Sequence, residues 1–450
     1  MATISCALRR IKQDLEPFLP EAMIRDVCCQ VGHHWRHRQF DPVATIHLFI
    51  QQILNFNTAI THLRLLAKVP INAASYCKAR MRLPLSALQM LLRNSAQAMA
   101  RGQGPAGLWH GLRVWLTDGS CTIAPDTPSL QKQFPQPKDQ KKGCGFPQIK
   151  ILGLINAFSG LIVEASFFPL YTHEQSKVWK LHPLLSAGDL LVGDRGFCSF
   201  VHLAMLFSRG IHGLFRMHQR QIVDFRPHRK HRNRKHPRGR GKRLPRTRFI
   251  KRLGKHDQLV EWSKPTIRPK WMEKAQWLLL PATLVVRELR YTIKAKGQRT
   301  RTVTIATTLL DPVLYSREEV AGLYGVRWTV ETHFAELKTT LKMRKIKCRT
   351  PLGAQKEVAV YCLVYNLIHV MMLKAAVRQG VTPDRISFID TVRWLLSAEP
   401  GEEMPRLVVN PRRKDRHEPR VVKDRHDSYP RMTLPRAKLR NALKKQGAEA

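Results

Sequence analysis

The stretch Leu323 to Met343, LYGVRWTVETHFAELKTTLKM, carries Tyr324, Arg327, Glu331 and Lys338. No glycine or proline interrupts it after Gly325, so it is expected to form one α-helix, with its residues placed by the helical period of about 100°. Taking Tyr324 as zero, Arg327 falls near ~300°, Glu331 near ~340° and Lys338 near ~320°, an arc of roughly 60°. A carboxylate flanked on one helix face by two cations and a phenol could hold a metal ion beside a phosphate. Glu336 lies about 140° around the helix from Glu331 and is expected to face elsewhere. A charged stripe is more often only a solvated face, so the chemistry needs partners from the rest of the chain.

Two further carboxylates qualify. In LRVWLTDGS, Leu112, Val114 and Leu116 alternate with Arg113, Trp115 and Thr117, which puts Asp118 on the apolar side at the end of a strand. In LLVGDRGF, Asp194 follows a short buried-type strand and sits between Gly193 and Gly196, where the backbone can be approached closely. Each acid alone reads equally well as a turn-forming aspartate. Together with Glu331 they supply what two-metal phosphoryl chemistry requires, ions about 3.5–4 Å apart held by carboxylates. Hard oxygen ligands point to Mg²⁺, with Mn²⁺ as a substitute. Arg327 through its bidentate fork and Lys338 as a point charge could then hold phosphates, and Tyr324 could hydrogen-bond a phosphate or stack on a displaced base.

The spacing Tyr324-x2-Arg327-x3-Glu331-x6-Lys338 resembles the Tyr-Arg-Glu-Lys signature of bacterial insertion-sequence transposases of family four, a branch of the DDE transposases. Asp118-Gly119-Ser120 resembles the first-acid motif of that family and Gly193-Asp194-Arg195-Gly196-Phe197 its second. The resemblance covers roughly residues 110 to 375. It implies a ribonuclease-H-like catalytic core with a β-strand insertion between the second Asp and the Glu. It also implies cut-and-paste transposition by a homodimer that binds terminal inverted repeats, cleaves DNA through a hairpin intermediate and joins the ends to target DNA. On that likeness Asp118, Asp194 and Glu331 bind the metals, while Tyr324, Arg327 and Lys338 contact transposon-end DNA. A tryptophan of the insertion that holds a flipped base would be Trp262, Trp271 or Trp277.

The elements that must position these residues follow from composition along the chain. An α/β fold is expected, divided into an N-terminal helical segment (1–105) for DNA ends, a first part of the core (106–215) and a basic β-rich insertion (216–298). A second core part with the Tyr-Arg-Glu-Lys helix (299–350), C-terminal helices that could dimerise (351–400) and a basic flexible tail (401–450) complete it. Prolines 20, 42, 70 and 84 break the first segment into helices, and Ser159-Gly160 reads as a hairpin turn between two apolar runs. Cys28, Cys29, His33, His34 and His37 suggest zinc, but their spacing fits no standard site, and a basic helix end is the better reading.

Charge names the partner. The 450 residues hold 77 Lys and Arg against 33 Asp and Glu, a formal net charge of +44, which calls for a polyanion. Double-stranded DNA fits better than an acidic membrane, since the chain shows neither a basic amphipathic helix nor a lipidation signal. Nine irregularly spaced cysteines and an N-terminus without an apolar targeting core predict a reduced, cytoplasmic, nucleoid-associated protein. The most apolar run, Val358 to Leu373, is too short to span a bilayer, which needs about 20 residues, and reads as a buried helix. Between Arg216 and Arg252 stand 16 Lys or Arg and four His against the single acid Asp224. Arg232, Arg234, Lys235, Arg238 and Arg240 in this run are expected to meet DNA backbone. Deleting Arg229 to Arg243 should therefore flatten the dependence of DNA affinity on salt, measured as the slope of log affinity against log salt concentration. An unchanged slope would show that the run touches no phosphate.

Overall fold

Prolines and polar caps set the N-terminal helices. In the computed structural model, which describes residues 18–36, 38–67, 70–101, 107–218, 221, 223–226, 247–293, 301–398, 405–407 and 432–446, α1 (Glu21–Gln30) follows Pro20, and α2 (Pro42–Leu54) has proline in its first turn and Asp41 accepting from the Ala44 amide. Next come α3 (Ile60–Ala67), α4 (Ala73–Arg82), capped by Asn72, and α5 (Leu85–Arg101). Helices α1, α2 and α5 share one hydrophobic core with the rest of the fold, while Leu63 and Ala67 of α3 and Tyr76 of α4 form a small satellite cluster with Leu48 and Ile71. Arg93 of α5 grips the buried Glu164 with its Nε at 2.7 Å, which ties the helices to the sheet.

Among the described residues the fold is mixed α/β, built on a nine-stranded sheet. Its strands are β1 (Val114–Ile123), β2 (Gln148–Asn156), β3 (Ile162–Pro169), β4 (Leu190–Gly193), β5 (His212–Arg216), β6 (Thr247–Gly254), β7 (Asp257–Ser263), β8 (Thr283–Ile293) and β9 (Arg301–Thr307). Their spatial order is β3-β2-β1-β4-β5-β9-β8-β7-β6. The β2–β3 turn carries Gly160 with φ +69°, a left-handed conformation that costs glycine nothing. Strands β1, β4 and β5 are parallel to one another, and the other neighbours pair antiparallel. The strands of the basic insertion thus continue the same sheet through β9 instead of forming a separate one.

One buried ion pair fastens that extension. Arg287 on β8 is fully buried and donates from Nε to Asp257 Oδ1 at 2.9 Å and from Nη2 to Oδ2 at 2.5 Å. Its Nη1 reaches the Tyr315 carbonyl at 2.6 Å, just ahead of the helix that carries Tyr324. The pair therefore links the insertion to the site-bearing segment.

Small helices α6 (Pro128–Gln133), α7 (Phe200–Phe207) and α8 (Lys274–Leu279) follow β1, β4 and β7 in the chain, and α7 packs on β5. The expected single helix over Leu323–Met343 is instead three pieces: α9 (Arg317–Val326), α10 (Thr329–Ala335) and a π-helical turn, Glu336–Thr340. Then α11 (Pro351–Gln379) runs through the core from a Thr350 cap to a left-handed Gly380, and α12 (Phe388–Ser397) packs on it. This long helix has the length and hydropathy to cross a membrane, but 89% of its most apolar window is buried inside the protein, the setting of a core helix. Within the stretch read as a flexible tail, Arg436–Gln446 forms α13, held where Arg436 lies 3.6 Å over the Phe146 ring and donates to the Gly145 carbonyl at 2.8 Å. The physical reason is a cation seated on an aromatic face beside Asp126, which composition alone does not reveal.

Removing one partner of the Arg287–Asp257 pair leaves a buried charge uncompensated. Asp257→Ala should cost about 3–5 kcal/mol of stability, read from denaturant midpoints. A loss below about 1 kcal/mol would mean that the pair is not a structural fastening.

Candidate active site

Strand register brings the first two acids together. The parallel β1–β4 ladder ends at Thr117↔Gly193, so Asp118 and Asp194 are the next residues on two adjacent strands. Asp118 is not at the end of its own strand, as expected from the sequence, because β1 continues to Ile123 along β2. It stands where β4 stops and leaves β1 open on one side. Asp194 Oδ1 is buried there with no hydrogen-bond partner. Asp118 accepts from the Gly119 amide at 2.8 Å. Burial pushes its carboxyl up to about 6, with Glu174 and Asp194 adding to the rise and the Gly119 amide and Arg327 opposing it.

The broken helical segment delivers the third acid. Hydrogen bonds three residues apart, Arg327 N to Tyr324 O and Trp328 N to Gly325 O, both 3.2 Å, tighten the chain between α9 and α10 without reversing it. Arg327 is 3% exposed and reaches in two directions, with Nη1 3.5 Å from Asp118 Oδ2 and Nη2 3.5 Å from Glu331 Oε1. One guanidinium thus holds the strand acid and the helix acid against each other. The π-turn then widens the helix, and Lys338 points its Nζ 3.3 Å from Ser120 Oγ. A cleft of about 440 Å³ opens between Asp118, Ser120, Glu331, Phe334, Lys338 and Arg344.

The four residues at the signature spacing do not share equally in this cleft. Arg327, Glu331 and Lys338 converge on Asp118 and Ser120. Tyr324 lies behind them, 1% exposed, its ring 5.8 Å from the Arg327 guanidinium and its hydroxyl buried without a hydrogen-bond partner. Trp328, 37% exposed, lies under the same guanidinium at 4.2 Å. Arg232, Arg234, Lys235, Arg238 and Arg240 fall outside the described residues. Among the three tryptophans of the insertion, Trp262 is buried and donates to Glu288 at 3.0 Å, whereas Trp271 and Trp277 are partly exposed.

Sequence reasoning missed Glu174. It follows β3, pairs with Lys150 at 3.5 Å and lies directly over Gly119, where a Cβ would come within 2.2 Å of its carboxylate oxygen. The one signal was the glycine after Asp118, which reads as a turn residue but is needed as empty space beside a strand. Ser120, read only as part of a motif, is the hydroxyl that meets Lys338.

The donor set fits divalent cations. Asp118 and Glu331 line one cleft, a buried Asp194 oxygen without a hydrogen-bond partner lies beside Asp118, and burial raises the Asp118 carboxyl well above its ordinary range, a cost that a bound cation would offset.

Residues 109–367 match the family model described as the transposase DDE domain, more than half of the chain. The chain is 27% identical over 373 residues to the transposase InsG for insertion sequence element IS4 of Escherichia coli (strain K12), covering 78% of this chain and 77% of that protein. Among solved structures, the piggyBac transposase synaptic complex with hairpin DNA aligns with 85% of this chain and 78% of its own, at 8% identity and a TM-score of 0.40. At that score the likeness carries no weight for fold or activity.

The raised Asp118 value has a sign that can be checked in metal-free protein. A folded-state value of about 6 lies above the ordinary 3.8, so ionising Asp118 costs folding stability. The cost is absent below the ordinary value, grows as pH rises to about 6 and is full above it. Asp118→Asn should therefore stabilise the chelator-treated protein at pH ~7.5, by up to about 3 kcal/mol, and the gain should vanish near pH ~4. Urea denaturation of both proteins at the two pH values measures it, and a less stable variant at the higher pH would contradict a carboxyl raised by burial.

Proposed function

Because this chain belongs to the DDE transposases, as an insertion-sequence transposase that cleaves DNA and transfers strands with divalent metal ions, we propose that Asp118, Asp194 and Glu331 are its catalytic acids. The observation that carries this reading is their convergence: the register sets the two aspartates side by side, and Arg327 bridges Asp118 to Glu331. We infer a ribonuclease-H-like core from the strand order β3-β2-β1-β4-β5 with β1, β4 and β5 parallel. Bound by these carboxylates, Mg²⁺, or Mn²⁺ in its place, would activate a water or 3′-hydroxyl and neutralise the leaving oxygen.

The chain's own residues divide the remaining work. Lys338 sits at the mouth of the cleft beside Ser120 and offers a point charge to a phosphate of the transposon end. Arg327 keeps the acids in register and has a spare donor, its Nε, without a partner. Tyr324 is a positioning residue on this reading, touching DNA only through Arg327, because its ring is walled in by protein. For a flipped base at a hairpin step, the hydrogen bond that locks Trp262 into the sheet leaves Trp271 and Trp277 as the candidates.

We further propose that the substrate is double-stranded DNA carrying the element's terminal inverted repeats, followed by target DNA. A homodimer assembles on those ends, and the protein works in the cytoplasm at the nucleoid. The net charge of +44 and the run from Arg229 to Arg243 support tight, salt-sensitive contact with the duplex. A DNA-binding repressor that has lost catalysis is the other reading, and it fits less well because all three acids and both cations are present.

Full-length protein with Mg²⁺ and a labelled fragment bearing the element's ends should nick at those ends. Glu331→Gln should lower nicking by at least about a hundredfold while end binding is kept, since the lost group serves only the chemistry. Wild-type protein that binds without cutting would favour the repressor, and equal cutting of any DNA would favour a general nuclease.

A further inference from the structure

Five residues beyond Glu331, Glu336 turns away from the cleft and toward α11. There it meets His333 from its own helical segment and His369 and Tyr365 from α11, which share a face because they lie four residues apart. The ligand atoms of His333, Glu336 and His369 all lie within 4.8 Å of one another. Glu336 Oε2 is 3.4 Å from His369 Nε2 and 3.9 Å from His333 Nδ1.

These separations are informative. Charge-assisted hydrogen bonds between a carboxylate and a nitrogen close to about 2.7–2.9 Å, and both contacts are wider than that. Ligand atoms around a tetrahedral zinc ion, with bonds of about 2.0–2.2 Å, stand about 3.3–3.6 Å apart. The two contacts to Glu336 have the second spacing more nearly than the first. It is also built to hold its shape. Side-chain exposures are 12% for His333, 18% for Glu336 and 7% for His369. The β2–β3 turn passes over the two rings at Gly160, where a Cβ would come within 2.8 Å of His369 Nδ1 and 3.2 Å of His333 Cε1. The Tyr365 hydroxyl lies 2.7 Å from His333 Nδ1 and 3.2 Å from Glu336 Oε2, so an ion that takes His333 Nδ1 leaves the hydroxyl to donate to Glu336 and orient the ligating carboxylate.

We propose that His333, Glu336 and His369 form a zinc site that clamps the Glu331-bearing helix to α11, apart from the carboxylate cleft. Two imidazoles and one carboxylate suit Zn²⁺ and suit Mg²⁺ poorly, so the two sites select different ions. His333 lies two residues from Glu331, and an ion there would fix the rotation of that helix about its own axis. The site needs the fold alone and does not depend on which residues carry out DNA cleavage.

The test uses the full chain with Asp118→Asn, Asp194→Asn and Glu331→Gln, which removes the three acids proposed to hold the catalytic ions. After chelation, exposure to Zn²⁺ and gel filtration, mass spectrometry of the metal should find one zinc per chain. Adding Glu336→Gln or, separately, His369→Gln should remove it, with circular dichroism showing the helices intact. Co²⁺ in place of Zn²⁺ should give the intense visible absorption of a tetrahedral site in the triple variant, a readout that needs no change in the cluster. Absence of both zinc and that absorption in the triple variant would overturn the proposal. So would full zinc retention in either four-fold variant.

Discussion

Asp118 and Glu331 line one cleft with Asp194 beside Asp118, and Arg327 stands between the first two. At the observed 3.5 Å, a charge pair at a protein surface is worth about 4 kcal/mol before desolvation and side-chain ordering are counted. The contact to the exposed Glu331 is screened by water and contributes little. The contact to Asp118 is the one that matters, because Asp118 is shielded and its carboxyl still sits near 6 with that cation present. Without it the aspartate would be harder still to ionise. The rest of the segment serves this placement. Tyr324 backs the guanidinium, Trp328 covers its face, and the tightened turn after Gly325 aims it between strand and helix.

The sheet determines where that guanidinium finds its partners. Asp118 and Asp194 are neighbours only because β1 and β4 are parallel and β4 ends one residue before Asp194. The described strands of the insertion then extend the same sheet through β9. Arg287 closes the circuit by joining β7 and β8 to the residues just before α9. The insertion is thereby tied to the segment that leads into α9.

Much of this was legible in the sequence because the informative residues are close together. Four residues at three fixed gaps, two strand-associated aspartates and a concentrated basic run point to phosphoryl chemistry on DNA by type and spacing alone. The helical period placed Arg327, Glu331 and Lys338 on a common side, and they do converge, although the continuous helix it assumed is broken at Arg327–Trp328 and widened into a π-turn. No periodicity carries that information, because it arises from how the segment packs on β1 and α11. The same period sent Glu336 away from the cleft, yet nothing local could say that it would meet His369, 33 residues on. Glu174 was hidden for a like reason: its bearing on Asp118 depends on the path of the chain after β3, and only Gly119 hinted at the room it needs.

Everything proposed for the cleft rests on Asp118, Asp194 and Glu331 forming one divalent-metal centre. Anomalous diffraction from crystals of the protein grown with Mn²⁺ and an end-bearing DNA duplex would locate the ions themselves. Manganese peaks are expected within coordination distance of carboxylate oxygens from all three residues, about 2.0–2.6 Å. Peaks that engage none of them, or only one, would contradict a shared centre.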